Sequence, residues 1–493
     1  MSFKPDKYQE VIFKEIIDIS VSPKIGRHIV VSADAGTGKT TTIEYATQLI
    51  PSNLKIGFVA YNKHIAEAFE SRKTQNTTVM TCHKLGYIAV IRKMAQDGRK
   101  PIMNGYKVHD MVKQMLTNEY LELGQEEARN IQIAVPKIIS LLKNTLAPVN
   151  KESIENIIET YNIDNEVNHD ILTQICAKIM LKCAQVFGRK DTCEIDFDDQ
   201  LWLPIIHNLT VQQFDWLFVD ETQDMNKVQL ELVLKAVSPG GSIVAVGDSN
   251  QSIYGFRGAD EEAMEHMIIR LNAKVLPLSI CYRCPTSHIT LAQKYVPSIE
   301  PSPYKGVGII KNIKEAELSK NVQKGNLILC RNNAPLVKPC FQLIKNGIKA
   351  TIKGRDIGLN LISKVRKTKG TKIPEFLKNL TSDVNNEKRN LEAAGKSVES
   401  LMDRFETLVV LAEECENTDQ LINKIETIFS DSEAAVTFST VHRAKGLEAD
   451  SIYILKPSLI PSPYAKTEKQ LKQERNLGYI SVTRSKDILT FVE

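Results

Sequence analysis

The sequence predicts an α/β protein in which two parallel-sheet domains are each interrupted by a mainly helical insertion. Short, near-continuous β-branched runs recur at both ends of the chain: His28–Ser32, Ile56–Ala60, Trp216–Asp220, Ser242–Gly247, Asn326–Cys330, Ala435–Ser439 and Ser451–Leu455. Runs of this kind read as strands buried on both faces. Helical periodicity lies between many of them, as over Thr41–Leu49, Lys63–Glu70 and Lys227–Val237. The alternation lapses twice, over about 88–197 and about 360–428, where the pattern is helical. The expected organisation is therefore a first α/β domain of residues 1–90 and 196–275 with an insertion at 91–195. A second comprises 276–358 and 429–493, with a shorter insertion at 359–428.

The composition is that of an ordinary globular chain. Hydrophobic residues make up 42% and charged residues 25% of 493 positions, which excludes a disordered or fibrous polypeptide. The net charge of +4 carries no strong signal, so a nucleic-acid partner would have to be held by local basic and aromatic surface. Nine scattered cysteines, an odd number at low density, point to reduced thiols rather than a disulfide framework. Cys281-Tyr-Arg-Cys284 lacks the second paired motif of a zinc site, so these thiols are not expected to hold a metal. No run of about 18 apolar residues suggests a membrane span.

The chemistry begins at Ala33-Asp-Ala-Gly-Thr-Gly-Lys-Thr40, between an apolar strand and a helical segment. Gly36 and Gly38 allow the tight turn that aims backbone N–H groups at a phosphate chain, and the helix N-terminus adds positive potential. Lys39 is placed to reach the β- and γ-phosphates, and Thr40 to ligate Mg²⁺. The first glycine of the usual phosphate-loop pattern is Ala33 here. Downstream, Trp216–Asp220 opens into Asp220-Glu-Thr-Gln-Asp224. Paired carboxylates at the end of a buried strand suit Mg²⁺ binding through Asp220 and activation of water by Glu221.

From here the residues resemble a family. Asp220–Asp224 and Val246-Gly-Asp-Ser-Asn-Gln-Ser-Ile-Tyr-Gly-Phe-Arg-Gly-Ala259 resemble motifs II and III of superfamily 1 helicases of the UvrD/Rep type. Phe58–Lys63 resembles motif Ia, Val79–Lys84 motif Ib, Ile195–Asp199 the acidic motif before motif II, Leu278–Cys284 motif IV, Val441–Glu448 motif V and Glu474–Arg484 motif VI. With Gln9 where the family keeps an adenine-reading glutamine, the matches span residues 9 to 484.

The resemblance implies two RecA-like domains, 1A and 2A, with insertions 1B and 2B, using ATP and Mg²⁺. ATP would contact Gln9, Ala33, Asp34, Ala35, Gly36, Thr37, Gly38, Lys39, Thr40, Thr41, Tyr282, Gly446 and Glu448, with Tyr282 stacking on adenine and Glu448 bonding the ribose. Metal would be held by Thr40 and Asp220. The catalytic set would be Lys39, Asp220, Glu221, Gln251, Arg283 and Arg484, with Gln251 linking the phosphate site to DNA and both arginines stabilising charge on the transferred phosphoryl group. DNA would follow Tyr61, Asn62, Lys63, Thr81, His83, Tyr254, Phe256, Arg257 and His442, because any base can stack on an aromatic face.

Thr41 stands where many relatives carry an arginine, motif Ia is one residue shorter than usual, and the second insertion is small, which argues against regulation by a large rotating 2B domain. Only nine residues follow Arg484, so no C-terminal nuclease is expected. The first functional reading is an ATP-driven helicase that translocates on single-stranded DNA, 3′→5′ because prolines do not follow Gln251, acting at single-strand/duplex junctions in replication, recombination or repair. The phage and F-box members have the most similar motif Ia. Single-strand-binding or replication proteins would be its partners, and a cytoplasmic, nucleoid-associated or phage setting its location. A translocase that strips proteins from strands, and a nucleotide-gated or RNA-directed relative, stay open beside it.

Overall fold

A computed structural model describes residues 3–21, 27–161, 163, 167–187, 193–253, 260, 262–393, 397–430 and 434–493. The chain divides into two compact units, Met1–Ala33 with Gly38–Leu278, and Asp34–Thr37 with Ser279–Glu493.

In the first unit, strands β1 (Ile29–Ala33), β2 (Ile56–Ala60), β3 (Thr77–Thr81), β4 (Phe214–Val219), β5 (Val237–Gly247) and β6 (Lys274–Leu278) form one sheet, ordered β3-β2-β4-β5-β1-β6. Every pairing is parallel, with Val219 opposite Ala245 and Val31 opposite Val246. The pleat sorts the apolar runs between two cores. Ile29, Val31, Trp216, Phe218, Val244 and Val246 face the helices Lys7–Val21 and Lys39–Gln48. Val30, Leu217, Val219, Ile243 and Ala245 face the opposite core. Both faces are covered, so these strands carry apolar residues continuously instead of alternating with polar ones.

That opposite core runs without a break into the first insertion, whose helices are Lys107–Glu119, Gln125–Thr145, Lys151–Thr160 and His169–Ala184. The expected boundaries shift accordingly. Helix Cys82–Ala95 crosses 90/91 because Leu85, Ala89, Val90 and Met94 make one continuous buried stripe. Strand β6 pairs with β1 through Leu278, past the expected limit at 275.

Gly86 is where helix Cys82–Ala95 meets helix Phe197–Ile206, and a Cβ there would lie 2.0 Å from the Gln200 carbonyl oxygen. The neighbour is backbone and cannot swing away.

In the second unit, β7 (Ile309–Ile313), β8 (Leu327–Cys330), β9 (Ala350–Ile352), β10 (Val436–Thr440), β11 (Ala449–Leu455) and β12 (Ser485–Val492) form a parallel sheet ordered β7-β12-β11-β8-β10-β9. Its insertion consists of helices Arg355–Lys367, Ile373–Ala393, Glu399–Ala412 and Thr418–Ile428, which share a core with β8, β9 and β10. The first of these crosses the expected 358/359 boundary. No helix among the described residues is long and apolar enough to cross a membrane.

Gly86→Ala should destabilise the protein by about 1–3 kcal/mol through overpacking. Gly105→Ala, with open space around its Cβ position, serves as the control. The midpoint of urea unfolding measures both.

Candidate functional site

Strands β4, β5 and β1 are neighbours, so the turns after their carboxyl ends lie side by side, where open parallel sheets place ligands. After β1, Gly36 and Gly38 adopt φ of 70° and 78°, left-handed values that favour glycine. Gly38 is the N-cap of helix Lys39–Gln48 and has no side chain to occupy the first-turn amides, which suits them to an anion. Thr37 Oγ1 closes the turn on the Asp34 carbonyl at 2.9 Å. Ala33 and Ala35 are buried, while Thr41 faces outward. Gln9 is buried next to this helix. It donates to Thr42 Oγ1 at 3.0 Å, and its Oε1 accepts from the Asp6 amide at 3.1 Å.

Asp220 follows β4 and is buried. Its carboxyl is pushed up to about 7 by burial and then by Glu221, against the opposing pull of Lys39 and a hydrogen bond with Thr40. Lys39 and Thr40 thus both act on Asp220. A hydroxyl beside a buried carboxylate is a hard-oxygen donor set that fits Mg²⁺, and a divalent cation would offset both the burial and the Glu221 repulsion that raise Asp220. Glu221 has φ 51°, an unusual backbone for a non-glycine residue, with its amide donating to Asp220 Oδ1 at 2.9 Å.

Two residues not singled out in the sequence complete the site. Gln223 Nε2 donates to Glu221 Oε2 at 2.5 Å, while its Oε1 accepts the Asp248 amide at 2.9 Å. Asp248, buried after β5 and raised mainly by that burial, accepts from Gln251 Nε2 at 2.6 Å. Gln251 therefore joins the acidic loop through Asp248 and Gln223. The only hint of this in the sequence was that Gln223 and Asp248 lie inside the quoted motifs.

Residues expected to contact DNA follow β2 and β3, on the same edge of the sheet. Tyr61 is exposed, and Lys63 is exposed with an ion pair to Glu67. The side chains of Asn62 and Thr81 have a structural use, accepting the Ile65 and Lys84 amides as N-caps. His83 is half-buried and edge-on to Phe197 at 6.0 Å, an exposed aromatic the sequence reading passed over. Tyr254, Phe256 and Arg257 lie outside the described residues.

Within the second unit, Arg283 Nε meets Glu448 Oε2 at 2.7 Å and its Nη1 donates to the Thr483 carbonyl at 3.2 Å. Lys486 holds the other Glu448 oxygen at 2.7 Å. Arg484 is buried, with Nε on the Ile480 carbonyl. Tyr282 is half-buried, and Gly446 is exposed at φ 87°. These residues bring Arg283, Glu448 and Arg484 into one neighbourhood. His442 is pushed down to about 3 by burial and then by Arg331, so it is neutral at physiological pH. Arg331, also missed, bonds Glu474 at 2.7 Å and Glu399 at 3.1 Å, tying the second insertion to helix Glu468–Val482.

The acidic segment Asp196–Asp199 has a structural use. Asp196 and Asp199 form the capping box of helix Phe197–Ile206. Lys143 reaches Asp196 at 2.7 Å and Asp199 at 2.8 Å, and Lys107 reaches Asp199 at 2.6 Å. Both lysines come from the insertion and are at most 3% exposed. Lys143→Met, which leaves a buried carboxylate undercompensated, should cost about 3–5 kcal/mol in unfolding free energy. Lys63→Met on the exposed helix should stay within about 0.5 kcal/mol.

Comparison with known proteins gives two family matches. The UvrD/REP helicase N-terminal domain matches residues 59–270, and the UvrD-like helicase C-terminal domain matches residues 435–492. F-box DNA helicase 1 of Gallus gallus is 24% identical over 94% of this chain and 47% of its own length. A probable DNA helicase II homolog of Mycoplasma pneumoniae is 22% identical over 93% of this chain and 81% of its own. ATP-dependent DNA helicase PcrA of Staphylococcus aureus is 30% identical over 30% of this chain and 19% of its own. The chain thus spans about half the length of the chicken protein.

Proposed function

The chain belongs to the UvrD/Rep-type family of superfamily 1 helicases, and from that premise we propose that it is an ATP-driven motor moving 3′→5′ along single-stranded DNA and unwinding duplex at junctions. The observation that carries this reading is the convergence of Lys39 and Thr40 on Asp220, with Glu221 held next to them by Gln223.

The first-turn amides after Gly38 and the Lys39 ammonium bind the phosphate chain. Thr40 and Asp220 would hold Mg²⁺, which when bound would supply charge neutralisation to the phosphate chain. Glu221 orients the attacking water and takes its proton. Arg283 and Arg484, neighbours within the second unit, are the positive charges to which the family resemblance gives the stabilisation of the transition state. Gln251, bonded to Asp248, carries the nucleotide state toward the strand. The bases stack on Tyr61, with His83 alongside. Replication, recombination or repair is the setting such a motor serves, and single-strand-binding proteins are suitable partners.

Steady-state ATP hydrolysis with and without oligo-dT, Mg²⁺ present, tests the motor. Strong stimulation by the strand is expected, with Glu221→Gln reducing the rate by at least about 100-fold while nucleotide still binds. Equal hydrolysis with and without DNA overturns the coupling. Unwinding of a duplex bearing a 3′ tail but not one bearing a 5′ tail is expected, and the reverse preference contradicts the direction. Stimulation by oligo-rU equal to that by oligo-dT would move the substrate to RNA.

A further inference from the structure

The last turn of the insertion helix Gln125–Thr145 does more than close the ionic cluster. Lys143 anchors it to Asp196 and Asp199 at the start of helix Phe197–Ile206. The next residue, Asn144, is buried and points its polar groups two ways. Its Nδ2 donates to Asp198 Oδ1 at 3.0 Å and to the Ser140 carbonyl at 2.9 Å, while its Oδ1 accepts from Asn226 Nδ2 at 2.8 Å.

Asn226 stands at the exit of the acidic loop. It caps helix Lys227–Lys235, its Oδ1 accepting the Gln229 amide and its own amide donating to Gln229 Oε1, both at 2.9 Å. The residue before it, Met225, is buried, with its amide on the Thr222 carbonyl at 3.2 Å and its carbonyl taken by the Asp260 amide at 3.0 Å. Asp220–Asp224 therefore hangs between the end of β4 and a cap whose remaining side-chain donor is spent on the insertion.

We propose that Asn144 is a positioning residue for hydrolysis: the Asn144–Asn226 amide bridge fixes the exit of the acidic loop and makes the poise of Glu221 depend on the first helical insertion. The ionic anchor next door penalises any movement that would separate the helix end from Asp196 and Asp199. Lys143 cannot swing out without stranding buried carboxylates, so the helix end moves as a rigid piece. A strand or duplex that presses on the insertion would reach the catalytic loop by this route. The inference rests on the hydrolytic reading of Glu221 given above.

The test uses the full chain carrying Asn144→Ala, Asn226→Ser, both together, or Asn226→Ala. Serine still caps a helix but is shorter and carries no amide N–H, so Asn226→Ser removes the amide bridge while keeping the cap. Asn144→Ala and Asn226→Ser should each lower kcat of DNA-stimulated hydrolysis by about 3–10-fold, with KM for ATP within about twofold. The double variant should fall no further than the worse single. Amide hydrogen exchange of Glu221–Met225, without nucleotide, should speed up in the same variants. Unchanged kcat and exchange in Asn226→Ser, with loss only in Asn226→Ala, would reduce the pair to a helix cap and overturn the proposal. Effects of the two single changes that multiply would overturn it as well. Should the parent protein fail to hydrolyse ATP, the motor reading falls, and the exchange rates still decide whether the bridge holds the loop.

Discussion

The amide of Gln223 is the interaction on which the rest of the site depends. It donates to Glu221 and accepts from the backbone of Asp248, so it joins the turns after two neighbouring strands. Without it, the Glu221 carboxylate would lose this bond on a turn whose backbone sits at an unfavourable positive φ. Gly247 is bound up with the same contact, since a Cβ there would lie 2.5 Å from Gln223 Oε1. The side chain, the bare glycine and the strained turn form one arrangement.

That arrangement follows from sheet order. Because β4, β5 and β1 are adjacent and parallel, the acidic loop, the Asp248 turn and the phosphate loop emerge at one edge without any long-range fold adjustment. The insertions join by a different principle. Each shares apolar core with its sheet, and each adds paired charge at the junction: Lys107 and Lys143, buried on Asp196 and Asp199, in the first unit, and Glu399 on the half-buried Arg331 in the second. Buried ion pairs add little net stability, but they penalise any geometry that separates them. Such junctions suit an insertion that must keep its orientation under load.

Much of this was legible in the residues. Ile56–Ala60 and Lys63–Glu70 form the expected strand and helix at the expected positions, since a doubly buried strand and an amphipathic helix both advertise their periods. Strands β7, β9 and β12 were not legible. Ile309–Ile313 is mostly exposed, Ala350–Ile352 is only three residues long, and Ser485–Val492 interleaves polar positions. In the site, phosphate-loop and acidic residues were readable because their chemistry demands particular residue types at fixed spacing. The hydrogen bonds of Gln223 and the Asn144–Asn226 bridge were not. An amide's partner depends on which backbone lies opposite it, and Asn144 and Asn226 are far apart in the chain.

The most direct test of this account is single-turnover ATP hydrolysis by Gln223→Ala, with nucleotide affinity measured on the same protein. Affinity should hold within about threefold while the chemical step slows tenfold or more, because the change misplaces Glu221 and leaves Lys39 and the phosphate loop intact. Hydrolysis at the parent rate would show that Glu221 is poised without the amide and would contradict the account.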